Sequence, residues 1–270
     1  MLKQRFLTAV VLAPLALFGV FCLPLSDFIY LLDFVILIAA WEWANLSGLE
    51  KQSNRFFYVG AVAVAVVLLH LFYTSLPVGL ILFVAFLSWF AALLWVVRYP
   101  EGSGWQSTWR RLFIGFVVLL PCWLAFVELK AADNGELQIL LLLLLVWGAD
   151  VGAYFSGKKF GNKKLAPNVS PGKTREGLYG GLLACLLVAV LFSIFASLSV
   201  NQSLLLIAVS LVTGLISVLG DLFESMLKRY RGIKDSSQLL PGHGGILDRI
   251  DSLTAASPVF VLGLHYIVLA

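Results

Sequence analysis

The chain has 270 residues, of which 60% are hydrophobic and 13% charged, and its mean hydropathy is +0.95. A soluble domain carries about 25% charged residues, so a water-soluble globular fold is excluded and nucleic acid is not an expected partner. The formal net charge of +4 has meaning only through where its cations sit along the chain.

A hydrocarbon core about 30 Å thick takes roughly 20 apolar residues per helix. Apolar runs between charged or Gly/Pro-rich breaks predict an all-α, polytopic membrane protein with about nine transmembrane helices, at 6–23, 28–46, 56–74, 77–97, 112–129, 137–156, 177–198, 203–227 and 252–270. The first run follows Lys3 and Arg5 but is too long for a signal peptide and has no small-residue cleavage site, so it is read as a retained span, with a kink or break expected at Pro14. With the N-terminus cytoplasmic, every Lys and Arg except Lys130 falls in an inside segment, the bias that retains positive loops on that side. Ala270 is then outside. Cys22, Cys122 and Cys185 lie apart in apolar runs without metal-site spacing, and His70 and His265 sit within spans; all five are read as packing residues. The useful division is functional: residues 1–135 are mainly hydrophobic helices, and 136–270 form a catalytic transmembrane region holding nearly all the polar clusters.

The first cluster is Asp150, with Tyr154 one turn on, at the end of the sixth span. A carboxylate in the bilayer costs about 2.5–3.5 kcal/mol on insertion scales, so it calls for a partner, a cavity or a function. A basic loop follows, reaching Ser170-Pro171-Gly172-Lys173-Thr174 before the seventh span. It is no P-loop, since Pro167 stands where the first glycine is required and no strand precedes it. It reads instead as a turn of hydroxyls and cations opening onto a helix N-terminus, a favourable place for phosphate. Lys173, with no carboxylate evident beside it, is assigned to a substrate phosphate.

Asp221, Glu224, Ser225, Lys228 and Arg229 share one face of the eighth span, and such a stripe must face the protein interior or a water-filled cavity. Lys234-Asp235, Pro241-Gly242-His243-Gly244-Gly245 and Asp248-Arg249-Ile250-Asp251 come next. The glycines around His243 permit positive φ and an anion-binding nest. Asp221, Asp248 and Asp251 offer oxygen ligands for a hard cation, and Mg²⁺ takes one or two carboxylates plus substrate phosphates. Unaided, these residues point to metal-assisted phosphoryl or nucleotidyl transfer on a membrane-soluble substrate.

The stretch from Ser225 to Asp251 resembles the signature of the phosphatidate cytidylyltransferase (CDP-diacylglycerol synthase) family at Ser225, Lys228, Arg229, Lys234, Asp235, Pro241, His243, Gly244, Gly245, Asp248, Arg249 and Asp251. Asp150 to Gly177 is similar to a second family block, although Gly172 and Arg175 depart from it. The resemblance implies that phosphatidic acid attacks the α-phosphorus of CTP to give CDP-diacylglycerol and pyrophosphate in phospholipid biosynthesis. It also implies Mg²⁺, with a monovalent cation such as K⁺ nearby, and a homodimer in the bacterial inner membrane whose active site faces the cytoplasm. Carried onto this chain, Asp221 and Asp248 are the principal metal ligands with Asp251 beside them, and Lys228 and Arg229 are catalytic. Asp150, Ser170, Lys173, Ser225, Lys234, Asp235, His243, Gly244, Gly245 and Arg249 are expected to bind substrate. The alternatives are a CTP-using enzyme acting on another lipid, such as a polyprenol, and a transporter with intramembrane carboxylates, although no internal repeat supports the latter.

Overall fold

The computed structural model describes residues 2–268. The side chains of Lys3 and Arg5 and the whole of Ala270, on which the orientation reading also draws, lie outside what is described. The described residues form nine α-helices: α1 (Leu2–Cys22), α2 (Leu25–Leu46), α3 (Gln52–Phe72), α4 (Val78–Arg98), α5 (Thr108–Ala131), α6 (Gly135–Phe160), α7 (Arg175–Phe195), α8 (Val200–Arg231) and α9 (Leu247–Gly263). A 3₁₀ turn follows α3, and a π turn follows α9 at Leu264–Val268. Each expected span corresponds to one helix. Pro14 lies inside α1 without breaking it.

Six of these helices, α3 to α8, are long and apolar enough to cross a membrane, so the nine spans expected from sequence reduce to six by this measure. The physical reasons differ for the other three. In α2 the apolar run is interrupted by Asp27, Asp33 and Glu42. The α-helical part of α9 has 17 residues and opens with Asp248, Arg249 and Asp251. For α1, the described side chains begin at Val10, and the apolar part from there to Cys22 is short.

The strictly all-α expectation needs a small correction. The basic loop between α6 and α7 is not a plain turn but an antiparallel hairpin, β1 (Lys164–Ala166) with β2 (Ser170–Thr174). Its closing residue Thr174 caps α7 by accepting a hydrogen bond from Gly177 N at 3.1 Å, and Glu176 accepts from Asn162 N at 3.0 Å and Lys163 N at 3.2 Å. The first bond uses a backbone donor that the N-terminus of α7 leaves open, and the other two tie the loop after α6 to the first turn of α7. The hairpin also rests on close packing of α6 against α7: a Cβ on Gly152 would lie 2.5 Å from Gly180 O, and one on Gly181 2.8 Å from Ala149 O. Such backbone approach through small residues is how apolar helices associate where lipid gives no hydrophobic drive.

The core is centred on α9, whose Leu253, Ala255, Ala256, Phe260 and Val261 are buried against α2, α4, α5, α6 and α8. Trp43, Trp89 and Trp95 surround Phe223 of α8, with ring centroids 5.8–6.4 Å apart, the spacing of favourable aromatic pairs. Cys122 and Cys185 are buried as expected, whereas Cys22 is exposed. His265 bonds Gln138 Oε1 at 2.8 Å and His70 bonds Val66 O at 3.1 Å, so both are satisfied packing residues. Lys130, at the far end of α5 from the basic loops, is buried and neutralised by Glu136 at 2.7 Å.

Candidate active site

The ends of α2, α6 and α8 and the starts of α3, α7 and α9 meet at one end of the bundle, and the polar clusters gather there. The α8 stripe comes first. Ser225 Oγ donates to Asp221 Oδ1 at 3.1 Å, and the other Asp221 oxygen pairs with Lys173 Nζ at 2.7 Å. This corrects the sequence reading that Lys173 has no carboxylate beside it: its partner in the protein is Asp221 on α8. One turn further along α8, Lys228 is buried between Asp248 Oδ1 at 2.7 Å and Glu224 Oε1 at 3.2 Å. Glu224 is itself 2% exposed, and among the described residues neither of its oxygens has a hydrogen-bond partner beyond that ion pair.

Asp248 is a heavily committed carboxylate. Besides Lys228 it accepts from Ser236 N at 2.9 Å, Ser236 Oγ at 2.9 Å and Gly245 N at 2.7 Å, all three on Oδ2. It therefore ties the glycine-rich loop to α8, and only Oδ1 keeps acceptor capacity. Asp251 spends Oδ1 on Ser252 N at 2.7 Å and lies in the field of Asp221, Lys228 and Lys173. Asp150, on the exposed side of α6, lies in the field of Lys173, Asp221 and Arg249. Five carboxylates (Asp150, Asp221, Glu224, Asp248 and Asp251) thus gather around the cations Lys173, Lys228 and Arg249.

The glycine loop has the backbone its sequence predicts: Gly242 and Gly244 have φ of +75° and +83°. At Gly244 a Cβ would also stand 2.6 Å from Asp248 Oδ2, so conformation and space both require glycine there. His243 Nδ1 is buried without a hydrogen-bond partner among the described residues. Arg249 Nη2 donates to His243 O at 2.9 Å, which fixes the loop from the α9 side. Arg229 donates to Val169 O at 3.3 Å and Ile233 O at 3.1 Å, so it clips the hairpin to the end of α8. Lys234 and Asp235 are exposed on the bend beyond α8, and Ser170 is half-buried at the start of β2.

Sequence reasoning missed Glu42. This fully buried α2 residue accepts from Ser237 Oγ at 2.5 Å, Ile246 N at 3.1 Å and Leu247 N at 2.6 Å, and Ser236 Oγ, 3.1 Å away, shares its one proton between Glu42 and Asp248. It caps α9 from another helix, a role for which Ile246 itself has no side-chain acceptor. Asn45, one turn on, donates to Ser236 O at 3.0 Å and accepts from Arg55 Nη2 at 2.8 Å. The signal was available, since a Glu in the run Ala40-Trp41-Glu42-Trp43-Ala44 is as costly in lipid as Asp150.

Fold and site together define a polytopic membrane protein with a dense, internally paired charge cluster at one end of its helices. The sequence places it more finely. The Cytidylyltransferase family profile matches residues 3–267, and the chain belongs to that family. It is 49% identical to the phosphatidate cytidylyltransferase of Pseudomonas aeruginosa over 96% of both chains. It is 41% identical to that of Haemophilus influenzae over 96% of this chain and 97% of the other. A Brucella suis protein of the same name is 32% identical over 97% of this chain and 92% of its own.

Proposed function

We propose that the chain transfers CMP from CTP to phosphatidic acid in the bacterial inner membrane, giving CDP-diacylglycerol and pyrophosphate. A phosphate oxygen of the lipid forms a bond to the α-phosphorus of CTP as the bond to the β-phosphate oxygen breaks, and pyrophosphate leaves with the electron pair. The observation that carries this reading is the charge cluster on α8 and α9, in a chain 49% identical to a phosphatidate cytidylyltransferase over nearly its whole length. An attacking phosphate is already anionic, so no strong base is required. Positioning and charge neutralisation are what the site must provide.

The residues fit a magnesium ion. Five carboxylates and three cations gather where two anionic substrates must meet, and carboxylate oxygens are the donors a hard divalent cation takes. Among the described residues no three His, Cys, Asp or Glu side chains form a closed metal cage, but Mg²⁺ completed by substrate phosphates needs only one or two carboxylates. Asp221 and Asp251 would hold it, with Asp248 Oδ1 as a further oxygen. When bound, the metal would supply charge neutralisation between the two substrates and steady the pyrophosphate. Lys173 moves from Asp221 to a substrate phosphate, and Lys228 holds Asp248 and Glu224 in place. The orphaned His243 Nδ1 and the loop glycines border the phosphate path, while Arg229 and Arg249 fix the hairpin and loop around it. Cytoplasmic exposure of this end follows from the cations it collects, and the working unit is a homodimer.

A matrix of lipids against nucleotides, with purified protein and pyrophosphate release as readout, tests the substrate pair. Release should require CTP and phosphatidic acid together. Equal turnover with a polyprenyl phosphate would replace the lipid assignment. Light scattering in detergent reads the dimer, and a monomer at full activity would remove it.

A further inference from the structure

Asn45 stands in the last turn of α2, where α3, the end of α8 and the loop beyond α8 all reach it. Its side chain has two partners, and each permits only one orientation of the amide. Arg55 Nη2, 2.8 Å away, can only donate and so meets Oδ1; the Ser236 carbonyl oxygen, 3.0 Å away, can only accept and so meets Nδ2. Arg55 is held in turn. Its Nε donates to Leu49 O at 2.7 Å, and its guanidinium lies over the Trp41 ring, 5.4 Å from the centroid. A planar fork fixed in this way fixes the amide it meets. On the far side of that amide, Ser236 is fully buried and turns its N–H and its hydroxyl to Asp248 Oδ2, each at 2.9 Å. One line of hydrogen bonds therefore runs from the first turn of α3 to the first turn of α9 through Arg55, Asn45, Ser236 and Asp248.

The residue type at position 45 carries the argument further. Arg55 meets its side chain and Arg231 Nε donates to its backbone oxygen at 3.2 Å, while Glu50, 3.8 Å from Arg231, is exposed and screened. Charge alone would favour a carboxylate there, which would accept from Arg55 in a stronger, charge-assisted bond. What an amide does and a carboxylate does not is donate to Ser236 O. We propose that Asn45, oriented by Arg55, is a positioning residue for Asp248: by holding the Ser236 carbonyl it keeps the Ser236 N–H and hydroxyl on Oδ2 and leaves Oδ1 to face Lys228 and the reaction centre. The assigned CMP transfer enters only through what Asp248 then does; the relay itself belongs to the folded chain without substrate. Glu42 and Asn45 divide the loop between them, Glu42 taking the amides at the start of α9 and Asn45 the carbonyl of Ser236.

The test is hydrogen exchange at the Ser236 amide, measured on the full-length protein in nanodiscs without substrate, with turnover read separately. Asn45→Asp keeps the acceptor for Arg55 and sets a second acceptor against Ser236 O. If Asn45 served only to tie α2 to α3, this variant would keep wild-type exchange and turnover. The relay instead requires Ser236 exchange to rise and turnover to fall, each roughly tenfold, the effect of one buried hydrogen bond exchanged for two facing acceptors, while amides within α3 keep their protection. Arg55→Met, which keeps the stem and removes the donors, should also speed Ser236 exchange, and should add nothing in an Asn45→Ala background, because it acts through the amide. Should Asn45→Asp fail to fold, Arg55→Met carries the test alone. Wild-type Ser236 exchange in either folded variant, or an undiminished effect of Arg55→Met in the Asn45→Ala background, would overturn the proposal. Faster exchange in both variants, in a protein that releases no pyrophosphate from CTP, would uphold the relay and remove the assigned reaction instead.

Discussion

Glu42 gives the sharpest test of how the first half of the chain supports the site in the second. Its carboxylate is fully buried and takes the backbone N–H groups of Ile246 and Leu247 and the hydroxyl of Ser237. Removing a buried partner costs about 1–3 kcal/mol for each group left unsatisfied. Glu42→Ala orphans two amides and a hydroxyl, which sets a cost of roughly 3–9 kcal/mol before any water enters. That cost falls locally, on the loop from Ser236 to Leu247, because the Asp248 bonds to Lys228, Ser236 and Gly245 remain. Glu42→Gln keeps one acceptor oxygen and places an NH₂ against a backbone donor, so it should cost less than Ala but more than nothing. In hydrogen-exchange measurements the amides of Ile246 and Leu247 should lose protection in both variants, more in Ala. CMP transfer should fall at least tenfold in Glu42→Ala, a loss equivalent to about 1.4 kcal/mol of the local cost reaching the transition state. Wild-type exchange at these two amides together with wild-type turnover in Glu42→Ala would refute the reasoning.

Lys228→Met should lower thermal stability sharply, because Asp248 and Glu224 then share a buried site without their cation; breaking such a pair costs about 3–5 kcal/mol, and a melting curve in detergent reads it. Lys173→Ala should cut turnover far more than expression, and combining it with Asp221→Asn should lose little more than either alone, since the two side chains form one pair and act as a unit. Gly244→Ala forces a side chain to φ +83° beside Asp248, a strain of about 1–3 kcal/mol, and should depress turnover and lower the melting temperature together. Single-cysteine labelling in a cysteine-free background should place the hairpin inside and position 270 outside; labelling of both from the same side would break the orientation drawn from the Lys and Arg count.

Helix number and order were legible in the sequence because each apolar run ends at a charge, a glycine or a proline, and each run corresponds to one α-helix. The α8 stripe was legible for the same reason, since its period places Asp221, Ser225 and Lys228 together. The hairpin was not. Ser170-Pro171-Gly172-Lys173-Thr174 has turn composition, and its pairing with Lys164–Ala166 depends on α6 and α7 holding the two strands together. The partners of charged groups were also hidden: Lys173 meets Asp221 and Glu42 meets Ile246 only after helices far apart in sequence have packed.

Those hidden pairings explain why the family signature alone does not make a site. Asp248 and Glu42 bind the same loop from opposite sides, one through Ser236 and Gly245, the other through Ser236, Ser237 and the first amides of α9. A loop of glycines is entropically expensive to hold, and a catalytic constellation must be fixed before substrate arrives if its dipoles are to stabilise developing charge. Two buried carboxylates acting as acceptors for backbone and hydroxyl donors achieve that fixation without bulk, which matters where a Cβ on Gly245 would already collide with both Ser236 and Glu42. The hydrophobic first half is therefore part of the reaction's scaffold: α2 closes the loop, α8 and α9 supply the charges, and the α6–α7 hairpin brings Lys173 to Asp221.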